Sequence, residues 1–195
     1  MINPFFRLKS ILLPLLVVLF ITSCDTNEND VADEPSLTKN YQAIGDSLSG
    51  ISQQTLLMNV SRELKSGGPV HAIDFCNLKV SSLMDSLSKK YDVTISRITS
   101  MPRNASNKAT SFELGLLKSL ESSSINDTVV SMEGQATYYK GITLGMPTCL
   151  KCHGSPQSDI GEETLIALQK HYPKDLAKNY QLGDFRGAWK IQFQD

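Results

Sequence analysis

Thr128-Val129-Val130-Ser131-Met132-Glu133-Gly134-Gln135-Ala136-Thr137-Tyr138-Tyr139-Lys140-Gly141-Ile142-Thr143-Leu144 holds two runs of β-favouring residues on either side of the pair Glu133-Gly134. β-Branched and aromatic side chains fit a pleated surface, and a two-residue link ending in glycine suits a tight hairpin. The stretch predicts antiparallel strands over 128–132 and 135–144. Downstream, Trp189, Ile191 and Phe193 alternate with Lys190 and Gln192 in a last strand. Upstream, Val93 and Ile95 alternate with Thr94 and Ser96 in a first one.

Before the first strand the period changes. Tyr41, Ile44, Leu48 and Ile51, then Leu57, Val60 and Leu64, recur at helical spacing from Leu37 to the stop Gly67-Gly68. Pro69 suits the first turn of a second helix, with Val70, Ile73, Cys76, Val80, Leu83 and Leu87 on one stripe, so Cys76 points inward. A loop at 101–104 leads to a shorter helix with Phe112, Leu116, Leu117 and Leu120 on one face. Asp159-Ile160-Gly161-Glu162 has capping-box spacing for a helix through Lys170. Helices first, then strands interrupted by short helices, predict an α+β domain with a mainly antiparallel sheet.

The 195 residues carry 19 Lys and Arg against 20 Asp and Glu. That balance lacks the basic footprint phosphate recognition needs and excludes a nucleic-acid binder. Arg7 and Lys9 precede an apolar run over 11–21, too short to span a bilayer and of the length of a signal-peptide core. The run ends in Ile21-Thr22-Ser23-Cys24, a bacterial lipoprotein box with Cys24 as the lipidated residue. The expected organisation is a signal peptide over 1–23, a lipidated acidic tether over 24–36 and one domain over 37–195. Cleavage removes two bases and no acid, so 17 basic residues remain against 20 acidic, a net charge of −3. The expected location is outside the cytoplasm, on a cell-envelope membrane at the periplasmic or surface side, with Cys24 as the membrane anchor.

Three of the four cysteines lie in the domain. Cys149-Leu150-Lys151-Cys152-His153 is C-x-x-C-H, the attachment sequence of a c-type haem: two thiols reach the vinyl groups and the adjacent imidazole reaches the iron. A redox dithiol wants a strand before and a helix after the pair, and a zinc site wants a second ligand pair at matching spacing. The remaining candidates, His71, Cys76 and His171, are scattered.

One covalent haem c leaves the ligand opposite His153 open. Met146 is too close in sequence to pass around the haem edge, and His171 ends an exposed-looking helix. His71 and Cys76 share a helix but sit roughly 140° apart, so only one of them faces the pocket. The apolar stripe selects Cys76. Residue type alone leaves it either a ligand or a buried free thiol.

The chain is similar to the c-type haem family proteins, Tll-like haem domains often labelled a domain of unknown function. Their best-known member is a cyanobacterial haem protein with a PAS-like fold and His/Cys ligation. Ala72-Ile73-Asp74-Phe75-Cys76 resembles the family's Cys-bearing helix. Arg97, then Arg103-Asn104-Ala105-Ser106-Asn107, then Glu113, resembles its Arg…Arg-Asn-Pro-x-Asn…Glu stretch, with Ala105 in place of proline. Cys149 to Pro156 resembles its haem motif, and Gly183 to Ala188 its closing strand. The resemblance implies a PAS-like antiparallel sheet with long N-terminal helices packed around the haem, His153 and Cys76 as metal ligands, and Arg97 and Arg103 as partners of the haem propionates. Asn104 and Asn107, which shape the loop after the first strand, count with them as haem-binding residues.

A thiolate opposite His153 stabilises Fe(III) and lowers the potential relative to His/Met ligation. The expected role is redox or small-ligand sensing through that thiolate, passed to a redox or signalling partner protein. A plain electron-transfer cytochrome is the alternative. An enzyme of sulfur compounds ranks last, because no second relay centre and no further catalytic cluster is visible.

Overall fold

The structure is a computed structural model describing residues 34–123 and 125–194. The expected signal peptide, Cys24 and the tether up to residue 33 lie outside the described residues. The first helix, α1 (Glu34–Leu78), begins within the expected tether and is kinked at Gly67 and Gly68. Gly68 has φ 73° and ψ −165°, a conformation essentially restricted to glycine, and Pro69 restarts the helix where its missing N–H costs nothing. The segment after Pro69 does not run on as one helix. It breaks at Lys79, and α2 (Val80–Tyr91) follows. The expected stripe survives the break, with Ile73 and Val80 buried and Cys76, Leu83 and Leu87 partly buried, and Met84, which lies outside that stripe, is buried as well.

The strands are β1 (Val93–Ile98), β2 (Asp127–Met132), β3 (Gln135–Thr143) and β4 (Phe185–Phe193), in the order β1-β4-β3-β2 and antiparallel throughout. The last strand in sequence is thus central in space. Glu133 and Gly134 both have positive φ, 52° and 83°, as a tight hairpin turn matching strand twist requires. Three further helices complete the fold: α3 (Ser111–Ser122), α4 (Pro147–His153) and α5 (Glu162–His171). The architecture is α+β and PAS-like.

Both faces of the sheet are covered, so neighbouring residues on one strand are buried in opposite directions. Tyr138, Trp189, Ile191 and Phe193 pack with Leu48 and Leu56 of α1 and with Val80 and Met84 of α2. Tyr139 and Ala188 face the other way, onto Leu117 and Leu120 of α3. Helix α1 crosses the sheet closely: a Cβ at Gly45 would lie 2.2 Å from the Tyr138 ring.

Two local expectations are corrected. Phe112 is 48% exposed, whereas Glu113 is 4% exposed. Glu113 lies on the stripe with Leu117 and Leu120, bonds Lys190 at 2.7 Å and forms a capping box with Thr110. The expected capping box at Asp159 is absent. Gly161 is the N-cap of α5, and Asp159 Oδ2 accepts instead from the Ser155 N–H at 2.8 Å.

Candidate haem-binding site

Helix α4 is short, opened by Pro147 at its first turn and closed at Gly154. It holds Cys149 and Cys152 one turn apart, and both are free thiols. Cys149 packs against the cluster of Leu144, Ala177 and Tyr180, and Cys152 against that of Ile73, Ile160, Ala167, Leu168 and Tyr172. Burial pushes the Cys152 thiol up to about 11, with nearby Arg103 pulling the other way.

His153 ends the helix. Its Nδ1 lies 2.9 Å from the Ala177 carbonyl oxygen, and because a carbonyl only accepts, Nδ1 carries the proton. Burial, then Arg103 and Arg186, hold the imidazole well below its ordinary pKa, against the Ala177 hydrogen bond. The ring is therefore neutral at neutral pH, with the Nε2 lone pair available and no partner for it among the described residues. That is how metal-ligating histidines are held: one nitrogen fixed by a carbonyl, the other free. Tyr180 stands edge-on to the ring at 6.3 Å between centroids.

A second clasp fixes the carbonyl. Arg103 Nη2 donates to the same Ala177 oxygen at 3.0 Å and to the Cys152 carbonyl, and Nε donates to Asp175 Oδ2 at 3.1 Å. Asp175 Oδ1 in turn accepts from the Ala177 N–H at 2.8 Å. The backbone follows suit, with the Tyr180 N–H on the His153 carbonyl and the Asn179 N–H on that of Gly154.

Cys76, Arg97, Arg186 and His153 sit deep among protein atoms yet retain accessible surface. That combination belongs to side chains lining a hollow rather than filling a core. Burial raises the Cys76 thiol, opposed by Arg97 and Arg103. Burial likewise lowers Arg97, opposed by Cys76 and Tyr172. Each guanidinium leans on an aromatic face: Arg97 on Trp189 at 5.7 Å, Arg103 on Tyr172 at 6.0 Å and Arg186 on Tyr180 at 5.3 Å. Against these three cations the only described carboxylate in ion-pair contact is Asp175, which is taken by Arg103. The hollow therefore carries an excess of about two positive charges.

The other expected residues fall as follows. Asn104 caps the short 3₁₀ turn (Ala105–Asn107), its side chain accepting from the Ser106 N–H, and the Asn107 carbonyl accepts from the Thr99 N–H. Both shape the loop, and no hydrogen bond turns either side chain into the hollow. Met146 is the N-cap of α4 and 39% exposed. The His71 ring lies against Gly67 on the exposed side of α1. His171 is engaged at both nitrogens, with Asp74 at 2.8 Å and Asn77 at 3.0 Å. Of the four candidates opposite His153, Cys76 is the one in the hollow. No group of three His, Cys, Asp or Glu side chains among the described residues is placed to hold a metal ion by itself. The shallow hollow of about 470 Å³ between Pro69, Lys151 and the start of α5 includes none of these groups.

The family model Tll0287-like matches residues 26–193. The chain belongs to the Tll0287-like family. Among solved structures it is similar to the cyanobacterial heme-protein Tll0287, with a TM-score of 0.56 and 17% identity over 84% of this chain and 98% of that one. No curated protein matches the chain. At that identity the likeness extends to the fold, which this Tll0287-like chain shares over nearly the whole length of the neighbour.

Four residues of the site were not singled out from sequence: Arg186, Asp175, Tyr172 and the carbonyl of Ala177. Arg186 had a signal. A glycine follows it inside a strand pattern, which marks a bulge or a close backbone approach. Gly187 has φ 139°, and a Cβ there would lie 2.3 Å from the Ile98 carbonyl oxygen. The register slips beside it, Ile142 opposing Gly187 while Thr143 opposes Phe185. Arg186 is the extra residue, re-aimed as bulged residues are.

Proposed function

We propose that this Tll0287-like chain is a c-type haem protein. Cys149 and Cys152 would hold the tetrapyrrole covalently, and His153 and Cys76 would ligate its iron. The observation carrying the reading is His153: a half-buried, neutral imidazole pinned through Nδ1, with Nε2 free, beside two unbridged thiols one turn apart. The excess of positive charge in the hollow supports it, since a haem brings two carboxylates. Family membership and the neighbour's being a heme-protein support it as well.

When bound, the haem supplies one-electron redox chemistry and a coordination position open to exchange. The chain's residues hold the imidazole in one tautomer and keep a thiol near two guanidiniums. The physiological reading is a lipoprotein exported by its first 23 residues, anchored through Cys24, that senses redox state or a small ligand by exchange at Cys76. A partner protein would receive the signal.

The test is to express the full chain with haem c maturation and to record ferric absorption and EPR spectra of wild type and Cys76→Ser. A low-spin wild type and an altered spin state in the variant are expected. An unchanged low-spin variant removes Cys76 as a ligand, and a wild type without covalent haem removes the whole reading. Displacement of the distal ligand by NO, CO or sulfide marks a sensor. Inertness to all three in both oxidation states marks an electron carrier instead. Cys24→Ser should release the chain from the membrane fraction.

A further inference from the structure

Three arginines surround the hollow, but they are not equivalent. A guanidinium grips a carboxylate two-pronged through either of two edges, Nε with Nη2 or Nη1 with Nη2. Arg103 has spent Nε on Asp175 and Nη2 on the carbonyls of Cys152 and Ala177, so both edges are broken. Its side chain is 12% exposed, and Asp175 is 2% exposed. Arg186 has spent only Nη1, on Thr99 Oγ1 at 2.9 Å and the Met101 carbonyl at 3.2 Å, which leaves its Nε–Nη2 edge intact. The Arg97 side chain makes no hydrogen bond among the described residues, although it lies deep in the protein near Cys76. Two forks are thus free, and each belongs to a cation whose position is set by an aromatic face.

We propose that Arg97 and Arg186 take the two carboxylates of the tetrapyrrole, while Arg103 is a positioning residue that fixes the ring of His153 through the shared Ala177 carbonyl. This rests on the haem reading above and reassigns Arg103, which sequence pairs with a propionate. Both lone pairs of the Ala177 oxygen are used, one by His153 Nδ1–H and one by Arg103. Arg103 therefore sets the orientation of the imidazole and limits how strongly its N–H is drawn off. The chemistry expected of the ligand at Arg97 and Arg186 is that of a planar dicarboxylate with an apolar body, since two unspent forks stand near the Cys76 thiol and the rings of Tyr172, Tyr180 and Trp189.

The test uses the full chain with covalent haem, reading the pH dependence of the midpoint potential and the EPR g-values. Arg97→Gln and Arg186→Gln each remove a cation from a carboxylate. Each should move the acid-side inflection of the potential up by about one pH unit while leaving the g-values near wild type. Arg103→Gln should do the reverse, changing the g-spread as the imidazole loses its fixed plane and leaving the inflection in place. Where a Gln variant carries no haem, the Lys variant at that position decides. Arg103→Lys should show altered g-values with a wild-type inflection, and Lys at 97 or 186 a smaller upward shift. An unmoved inflection in the variants at Arg97 or Arg186, or an Arg103 variant that moves the inflection with wild-type g-values, overturns the assignment and leaves the haem reading standing. A wild type with no covalent haem overturns both.

Discussion

Glu113 is a carboxylate on the inner face of a helix, and its surroundings decide its sign. Burial alone pushes its carboxyl up, but Lys190 and Thr110 outweigh that and hold it below the ordinary value. A depressed carboxyl contributes stability that is complete above its unfolded pKa, near 4.5, and is lost as pH falls through the folded value. Glu113→Gln should therefore be less stable than wild type at pH 7, with the gap in denaturation midpoint closing on acidification. A gap independent of pH would contradict this. Asp175 is a harsher case. Its loss strands a nearly buried guanidinium and frees the Ala177 N–H, so Asp175→Ala should cost about 3 kcal/mol in chemical denaturation. Lys140→Ala, which breaks an exposed pair with Asp46, should cost under about 1 kcal/mol.

Between α1's two segments, Gly68 has open space around a would-be Cβ, so any penalty there is pure backbone. Gly68→Ala should destabilise the fold by about 1–3 kcal/mol and tilt the segment carrying Cys76, read by thermal melting and by the spin state of the loaded protein. The Gly67-Gly68-Pro69 stop was legible because its causes are local. So were the 133–134 turn, the strand alternations, the C-x-x-C-H motif and the inward face of Cys76. The helix stripe at Phe112 was misread because a buried ion pair makes Glu113 an inner residue, and its partner Lys190 lies 77 positions away. The Thr110…Glu113 capping box was written in the sequence, but the same spacing at Asp159…Glu162 drew the assignment although it caps nothing. Arg103 stood out in sequence, but its bonds to Asp175 and Ala177 did not, since those residues are 72 and 74 positions distant. Gly187 inside the strand pattern hints at a bulge beside Arg186, but the direction in which the bulge aims that side chain depends on the register against Ile142 and Thr143, which a single sequence does not carry.

At the scale of the molecule, haem held through α4 would join α1, β1, the 172–183 segment and β4 into one unit. Cys149→Ala with Cys152→Ala should leave pigment extractable by acidified solvent, and the colourless protein should melt below the loaded one, because a group bound only by the native state stabilises it. The sheet order has a consequence in time. β4 sits between β1 and β3, so until residues up to Phe193 are available those two strands face each other across a gap with unpaired edges. A chain ending at Gly183 should fail to give cooperative unfolding. Arg186 arrives with that same strand, and the pairing of Val93 with Phe193 joins residues 100 positions apart. During synthesis the thiols of α4 emerge first and stay accessible while the wall that will enclose them is still missing. Attachment of a haem to those thiols, as proposed above, would have a window that closes when the last strand zips in.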